Sequence, residues 1–343
     1  MPSYAFRGNE AFASAMEGRL SDAGYVRVKG LDEADFVVTF CTSMTALEEL
    51  YFGDDALVQT AEEGTVVVDA SACTPNLAAE IAAVAAVSNL SMVSAPMVVK
   101  NKVAEDAFAH SNLMCFAGSE DGGVDGALPL LEVLFGDVQV VADAGAAQLA
   151  RAASTIQNTA EMVSAIEALS LFKACSDSVS SGINVKALVP DATSPEASFI
   201  IKAVRDERFK GDYTVEMLMS ELSAAIMTGD DYETILPQTE AAFHLFELLA
   251  MIGGSDMSPA ALSLVYEGEP ARADGDDEGG DGGEGGSRVD SHGLDWGRVE
   301  QLYGHDGADH AVEEYGSDAF DMDGDGDPYD DDDFVSGFGY SIN

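Results

Sequence analysis

Residues 143–177 read DAGAAQLARAASTIQNTAEMVSAIEALSLFKACSD, and nothing inside the run interrupts a helical period. Its glycine stands near the start. Apolar residues recur at Leu149, Ala153, Ile156, Ala160, Met162, Val163, Ile166, Leu169 and Phe172, close to the i, i+3, i+4, i+7 spacing of a buried face. A helix of roughly 30 residues rises about 45 Å, longer than an ordinary globular helix. A helix of that length reads as a spine joining two domains. Strand and helix patterns alternate before it, and no strand pattern returns after it.

Residues 1–142 open with SYAF, Gly8 and a helical stretch ending at Ala23-Gly24, then YVRV. ADFVVTF, GTVVVDAS, LSMVSAPM and LMCFAG follow as strands almost continuous in apolar residues, with helical patterns such as SMTALEELYF and TPNLAAEIAAVAAVS between them. Strands that lack polar alternation and are separated by helices predict a mostly parallel sheet covered on both faces. DGALPLLEVLFGDVQVVAD supplies one more helix and strand. Residues 143–266 form an all-α domain built on the spine. NVKALVPDA, SPEASFIIKAVRDERF, TVEMLMSELSAAIMTGDDYE, LPQTEAAFHLFELLAMIGG and SPAALSLVYEG all carry helical spacing. Residues 267–343 are dominated by Gly/Asp runs and read as a disordered acidic tail. LDWGRVEQLY, from Leu294 to Tyr303, is a short helix or docking segment within it.

The chain of 343 residues is long enough for two modest cores. Its 62 acidic and 16 basic residues leave a formal net charge of −46, which argues against nucleic acid or an anionic membrane as partner. Such an excess suits a medium of high salt, where screening weakens self-repulsion; a specific cationic partner is the alternative. Cys41, Cys73, Cys115 and Cys175 are scattered without CxxC spacing and read as free core thiols of a cytoplasmic protein. Neither a signal peptide nor an 18-residue apolar run is expected here. His110 and His244 read as structural. DMDGDGDPYDDD, with Asp321, Asp323, Asp325, Gly326, Asp327 and Asp332, has the order of a calcium loop, but Pro328 and the lack of flanking helices favour a solvated acidic run. No metal is expected.

ADFVVTFCTSMTALEELYFGDDAL, followed by GTVVVDASACTP, SAPM and LMCFAGSE, resembles the β-hydroxyacid dehydrogenase family, whose members include 3-hydroxyisobutyrate dehydrogenase. The likeness spans most of residues 3–266. It implies a Rossmann-like NAD(P)-binding domain over residues 1–142 and a 6-phosphogluconate dehydrogenase-like helical domain over 143–266. NAD or NADP is then the cofactor, a small carboxylate-bearing molecule the substrate, and a homodimer or higher homo-oligomer the assembly.

The functional motifs are altered. A dinucleotide turn needs glycines so that the backbone turns tightly and the diphosphate reaches the helix start. The pattern G-x-G-x-x-G here keeps Gly8 but has Glu10 and Ala13 at the other two positions. Beside a diphosphate, Glu10 adds a repulsion on the order of 1 kcal/mol at about 4 Å. The chain then runs through KGLDEADF without a further helix and strand, so the adenosine-side unit is trimmed. Lys29 ends the second strand where an acidic residue would hold the ribose; it is a solvated loop lysine or a contact for a 2′-phosphate. By resemblance, Gly8, Asn9, Glu10, Ala11, Thr39 and Cys41 are the cofactor-binding positions. Ser71 matches the serine of D-x-S and, with Lys100 and Ser220, makes up the substrate-binding set; a helix cap or turn serine before Pro75 for Ser71 and a surface position for Lys100 are the plainer readings. Arg151 stands where the family has its catalytic lysine, Thr155 where it has asparagine, and Glu221 where it has aspartate. Arginine keeps the charge but cannot exchange a proton near neutral pH. The expectation is a β-hydroxyacid dehydrogenase-like oxidoreductase of weak or altered activity. A non-catalytic relative kept for binding or assembly, and an imine or carbonyl reductase without the lysine, are the alternatives.

Overall fold

A computed structural model of the chain describes residues 1–176, 194–267 and 291–296. The NVKALVPDA segment, the remainder of the acidic tail and the calcium-loop reading fall outside the described residues.

Five parallel strands form the first sheet in the order β2-β1-β3-β4-β5: β1 (Ser3–Gly8), β2 (Val26–Arg27), β3 (Phe36–Phe40), β4 (Val66–Asp69) and β5 (Ser91–Ser94). Tyr4 lies beside Phe36, Val38 beside Val68 and Val67 beside Met92. Helix α1 (Glu10–Asp22) starts because Asn9 is extended and its side chain accepts a hydrogen bond from the Phe12 amide. It packs Phe12, Met16 and Leu20 inward. α2 (Met44–Phe52), a short α3 (Leu57–Thr60) and α4 (Pro75–Val87) follow; Ser43 and Thr74 cap α2 and α4, and Pro75 takes the first turn of α4, where no amide is needed. Val28–Asp35 carries the chain directly from β2 to β3, so the sheet ends at a two-residue edge strand and is trimmed as its sequence implied.

LSMVSAPM does not form one strand. Pro96 has no amide to give a ladder, and the chain breaks there into β5 and β6 (Met97–Val99). β6 pairs antiparallel with β7 (Leu113–Ala117), which pairs parallel with β8 (Asp137–Val140) after helix α5 (Val124–Leu134). Paired amide and carbonyl bonds of 2.9 Å between Ser94 and Gly118 join the two sheets.

The spine, α6 (Ala144–Ser176), has 33 residues. Asp143 caps it, its carboxylate accepting from the Ala146 amide at 2.7 Å. Its buried face differs from the apolar periodicity at the N-terminal half: Leu149 is 53% exposed and Ala153 is exposed, whereas Gln148, Arg151, Thr155 and Thr159 are buried. From Met162 onward the buried residues are apolar. Polar side chains occupy the inner face where the helix meets the strand ends. α6 packs on α4 and, farther along, on α7 (Pro195–Arg205), α8 (Val215–Asp231), α9 (Pro237–Leu249) and α10 (Leu262–Glu267). LPQTEAAFHLFELLAMIGG is not helical to its end: α9 stops at Leu249, and a wide turn, Ala250–Gly254, follows, with Gly253 at φ 107°. Within the stretch read as a tail, Ser291–Trp296 lies against this turn. Leu294 is fully buried, and the Asp295 amide donates to Ile252 O. Leu294–Trp296 belongs to the stretch read as a short helix or docking segment, whose remainder falls outside the described residues.

Candidate active site

The crevice for a dinucleotide lies at the carboxyl ends of β1 and β3, on either side of which the strand order reverses. Gly8 has φ +118°, and a Cβ there would sit 2.0 Å from Phe40 O. Glycine is therefore obligatory at the turn, in part because of this contact between neighbouring strands. The Asn9 side chain caps α1 by accepting from Phe12 N at 3.0 Å. Glu10, the first residue of α1, keeps its side chain 79% exposed and places its carboxylate 3.9 Å from Arg27 on β2. The carboxylate thus leans toward the edge strand and shares Arg27 with Glu17, at 3.4 Å. The turn, the helix amides and the strand crevice fit a dinucleotide diphosphate, with fewer glycines to admit it.

The next strand ends are held by a buried network. The Asp69 carboxylate accepts from Thr39 Oγ1 at 2.8 Å, from Ser71 Oγ at 2.6 Å and from Ser71 N at 3.1 Å, while Thr39 Oγ1 also lies 3.1 Å from Tyr51 Oη. Ser71 Oγ in turn accepts from Cys41 N at 2.8 Å. Burial raises the Asp69 carboxyl to about 6 against the lowering effect of the Ser71 and Thr39 bonds. Burial first, then Asp69, pushes the Cys41 thiol up to about 12, so it stays protonated. The Thr39 and Ser71 hydroxyls are consumed inside the fold. Ser71 is not the cap of α4 either, since Thr74 has that role. From the spine, Gln148 Nε2 donates to Ser71 O at 3.0 Å and Ser94 Oγ at 3.3 Å, and its Oε1 accepts from Cys73 N at 3.1 Å.

One turn farther along the spine, Arg151 is 2% exposed. Its Nε donates to Met97 O, its Nη1 to Thr155 Oγ1, and its Nη2 pairs with Glu221 Oε1 on α8. Thr155 Oγ1 donates back to Arg151 O at 3.2 Å. Lys102 Nζ lies 3.8 Å from the other Glu221 oxygen, donates to Val99 O at 3.2 Å, and stands 5.2 Å from the centre of the Tyr213 ring. Burial would raise the Glu221 carboxyl, but Arg151 and then Lys102 outweigh it and hold the group below the usual range. Burial, followed by Glu221, pushes the Tyr213 phenol well up. A narrow cleft with a cavity volume of about 10 Å³ opens on this cluster, lined by Phe40, Cys41, Met97, Arg151, Ser220 and Glu221 among others.

The structure therefore gathers Cys41, Arg151 and Ser220 at the cleft, with Thr155 directly behind Arg151. It does not bring Lys100 there: that side chain lines a separate hollow with Asn158 and Phe199. Lys102, two residues farther on, is 5% exposed and reaches Glu221. Gln148, Glu221, Tyr213 and Lys102 have no common spacing in sequence. The only signal for any of them is the position of Glu221 within MLMSEL.

Residues 9–142 match the NAD binding domain of 6-phosphogluconate dehydrogenase. The chain is similar to 2-(hydroxymethyl)glutarate dehydrogenase of Eubacterium barkeri, 24% identical over 266 residues that cover 77% of this chain and 86% of the relative. It is also similar to NAD-dependent L-serine dehydrogenase of Pseudomonas aeruginosa, 22% identical over 68% of this chain and 79% of that protein. The structure of 3-hydroxyisobutyrate dehydrogenase from Mycobacterium tuberculosis superposes with a TM-score of 0.64 at 19% identity, over 77% of this chain and 99% of that one. The cofactor class is NAD(P). With its crevice, spine and helical domain in this order, the chain is similar to the β-hydroxyacid dehydrogenases over about three quarters of its length.

Proposed function

We propose that this chain is an NAD(P)-dependent oxidoreductase that acts on small hydroxy acids, with turnover far below that of relatives carrying a lysine on the spine. The carrying observation is Arg151: by resemblance it stands in the place of the proton-transferring lysine, and all three of its guanidinium nitrogens are held by partners inside the protein. Bound nicotinamide supplies the hydride acceptor. The amides of Glu10 and Ala11 at the start of α1 would hold the diphosphate, since the Asn9 amide already donates to Phe40 O at 2.8 Å, and Cys41 would face the nicotinamide end. Arg151 positions a carboxylate or carbonyl by charge and hydrogen bonding, but it does not take the alcohol proton. The Cys41 thiol cannot serve as base, because burial keeps it protonated. Residues 1–142 would then act as the cofactor domain and 143–266 as the substrate domain, in a cytoplasmic homodimer.

The test is reduction of NAD and NADP over a panel of short β-hydroxy acids. A positioned acid/base contributes about 10²- to 10⁴-fold, so rates at least about a hundredfold below an ordinary family member are expected. Turnover on the order of 10 per second would overturn the reading. A second reading, binding without catalysis, is favoured by the internally satisfied Arg151. Fluorescence titration with NADH and NADPH separates the two, since saturable binding with no turnover on any acid supports the second.

A further inference from the structure

We infer that Glu221 is a resident carboxylate that occupies the anion-binding face of Arg151, and that a substrate acid must displace it to bind; this rests on the family reading of the cleft. One carboxylate is shared by two cations from different elements. Its Oε1 pairs with Arg151 of the spine, and its Oε2 lies 3.8 Å from Lys102 of the loop after β6. Arg151 and Glu221 both line the cleft, whereas Lys102 is not among its lining residues. An acid entering along Met97 and Ser220 therefore reaches Arg151 first. When it does, Glu221 keeps Lys102, so the exchange never strands a buried carboxylate without a cation. Glu221 meets the guanidinium through Nη2 alone, with Nε and Nη1 held by Met97 O and Thr155 Oγ1, and the acid replaces that one charge-assisted contact by another of the same chemistry. Glutamate is long enough to make this contact from α8. The family's aspartate at this position is one methylene shorter.

The consequence is a built-in competitor. Wild-type affinity for small acids is set by the difference between two carboxylate contacts, and it is low. Loss of the Glu221 charge leaves Arg151 open to an external acid.

The experiment measures binding of 3-hydroxypropionate by calorimetry without cofactor, on the full chain. Glu221→Gln is expected to bind at least about tenfold tighter than wild type. Lys102→Met, which leaves Glu221 dependent on Arg151 alone, is expected to bind more weakly than wild type. Arg151→Met combined with Glu221→Gln is expected to lose binding. If Glu221→Gln alone does not fold, Lys102→Met with Glu221→Gln, which buries one cation fewer, replaces it; its melting temperature should then rise with 3-hydroxypropionate where the wild type's does not. A folded Glu221→Gln protein, or that folded double variant, with no gain in binding overturns the inference. Because the binding readout contains no cofactor, tighter binding in Glu221→Gln, beside a wild type that reduces neither NAD nor NADP on any acid, would sink the dehydrogenase reading and leave this one standing.

Discussion

At the scale of single residues, the site is governed by which buried charges are paired. Arg151 is bound by three neighbours, so its replacement is structural before it is chemical. Arg151→Met leaves Glu221 with Lys102 as its remaining cation and is expected to cost about 3–5 kcal/mol, the usual result of breaking a buried pair; urea unfolding measures it. Arg151→Lys, with one ammonium in place of a fork, is expected to cost about 2 kcal/mol and to raise NAD reduction by no more than a few fold, even with Thr155→Asn, because Glu221 captures the new amine. Asp69 titrates in the opposite sense from Glu221. Its folded value of about 6 lies above its ordinary 3.8, so its contribution is fully present below about 3.8 and is lost as pH rises through about 6. Asp69→Asn retains an acceptor and removes the titration. The stability difference between variant and wild type should shift in favour of the variant by about 2 kcal/mol between pH 4 and 7; a difference that stays constant with pH would show that Asp69 does not titrate in the folded protein.

At the scale of elements, the turn between β1 and α1 joins two requirements at one glycine. Gly8 lies against Phe40 O and at positive φ, so Gly8→Ala is expected to cost at least about 2 kcal/mol even without cofactor, read as a lowered urea midpoint. Glu10→Gly changes only what the turn offers a ligand, because the side chain is exposed and its partner Arg27 keeps Glu17. It is expected to tighten NADPH binding several-fold in fluorescence titration. Unchanged affinity would mean that the missing strand beside β2, rather than Glu10, limits the cofactor. These elements were legible in the sequence where hydrophobic pattern and geometry coincide: β1, β3, β4, α4 and the 33-residue spine. They were not legible at Pro96, where a continuous apolar run hides a change from parallel to antiparallel pairing, nor on the first half of the spine, whose inner face is polar.

At the scale of the whole molecule, charge and the segment after residue 267 govern stability. A net charge of −46 repels itself over a Debye length of about 10 Å at 0.1 M salt and about 3 Å at 1 M. The melting temperature is therefore expected to rise with KCl from 0.1 to 2 M, and a flat response would show that the carboxylates do not limit the fold. Ending the chain at residue 267 removes Leu294, which is fully buried beside the turn at Ile252. A fall of several degrees is expected, reproduced by Leu294→Ala in the full chain and by about 2 kcal/mol in urea; an unchanged melting temperature would assign no energetic role to that segment.

The sequence by itself determined the class and order of the fold, because apolar period, glycine at the first turn and the length of the spine are local properties of the chain. It also determined that the sheet is trimmed after β2, and it carried the resemblance by which Arg151 falls at the position of the family's lysine. Only the tertiary structure decided what Arg151 does. Met97, Lys102, Tyr213 and Glu221 come from β6, the loop after it, the approach to α8 and α8 itself, and no spacing in sequence predicts that they meet. For the same reason the Ser71 hydroxyl, read as a substrate contact, is bound to Asp69 and the Cys41 amide: packing brings a competing donor and acceptor within reach, and buried polar groups take the partners that the fold provides.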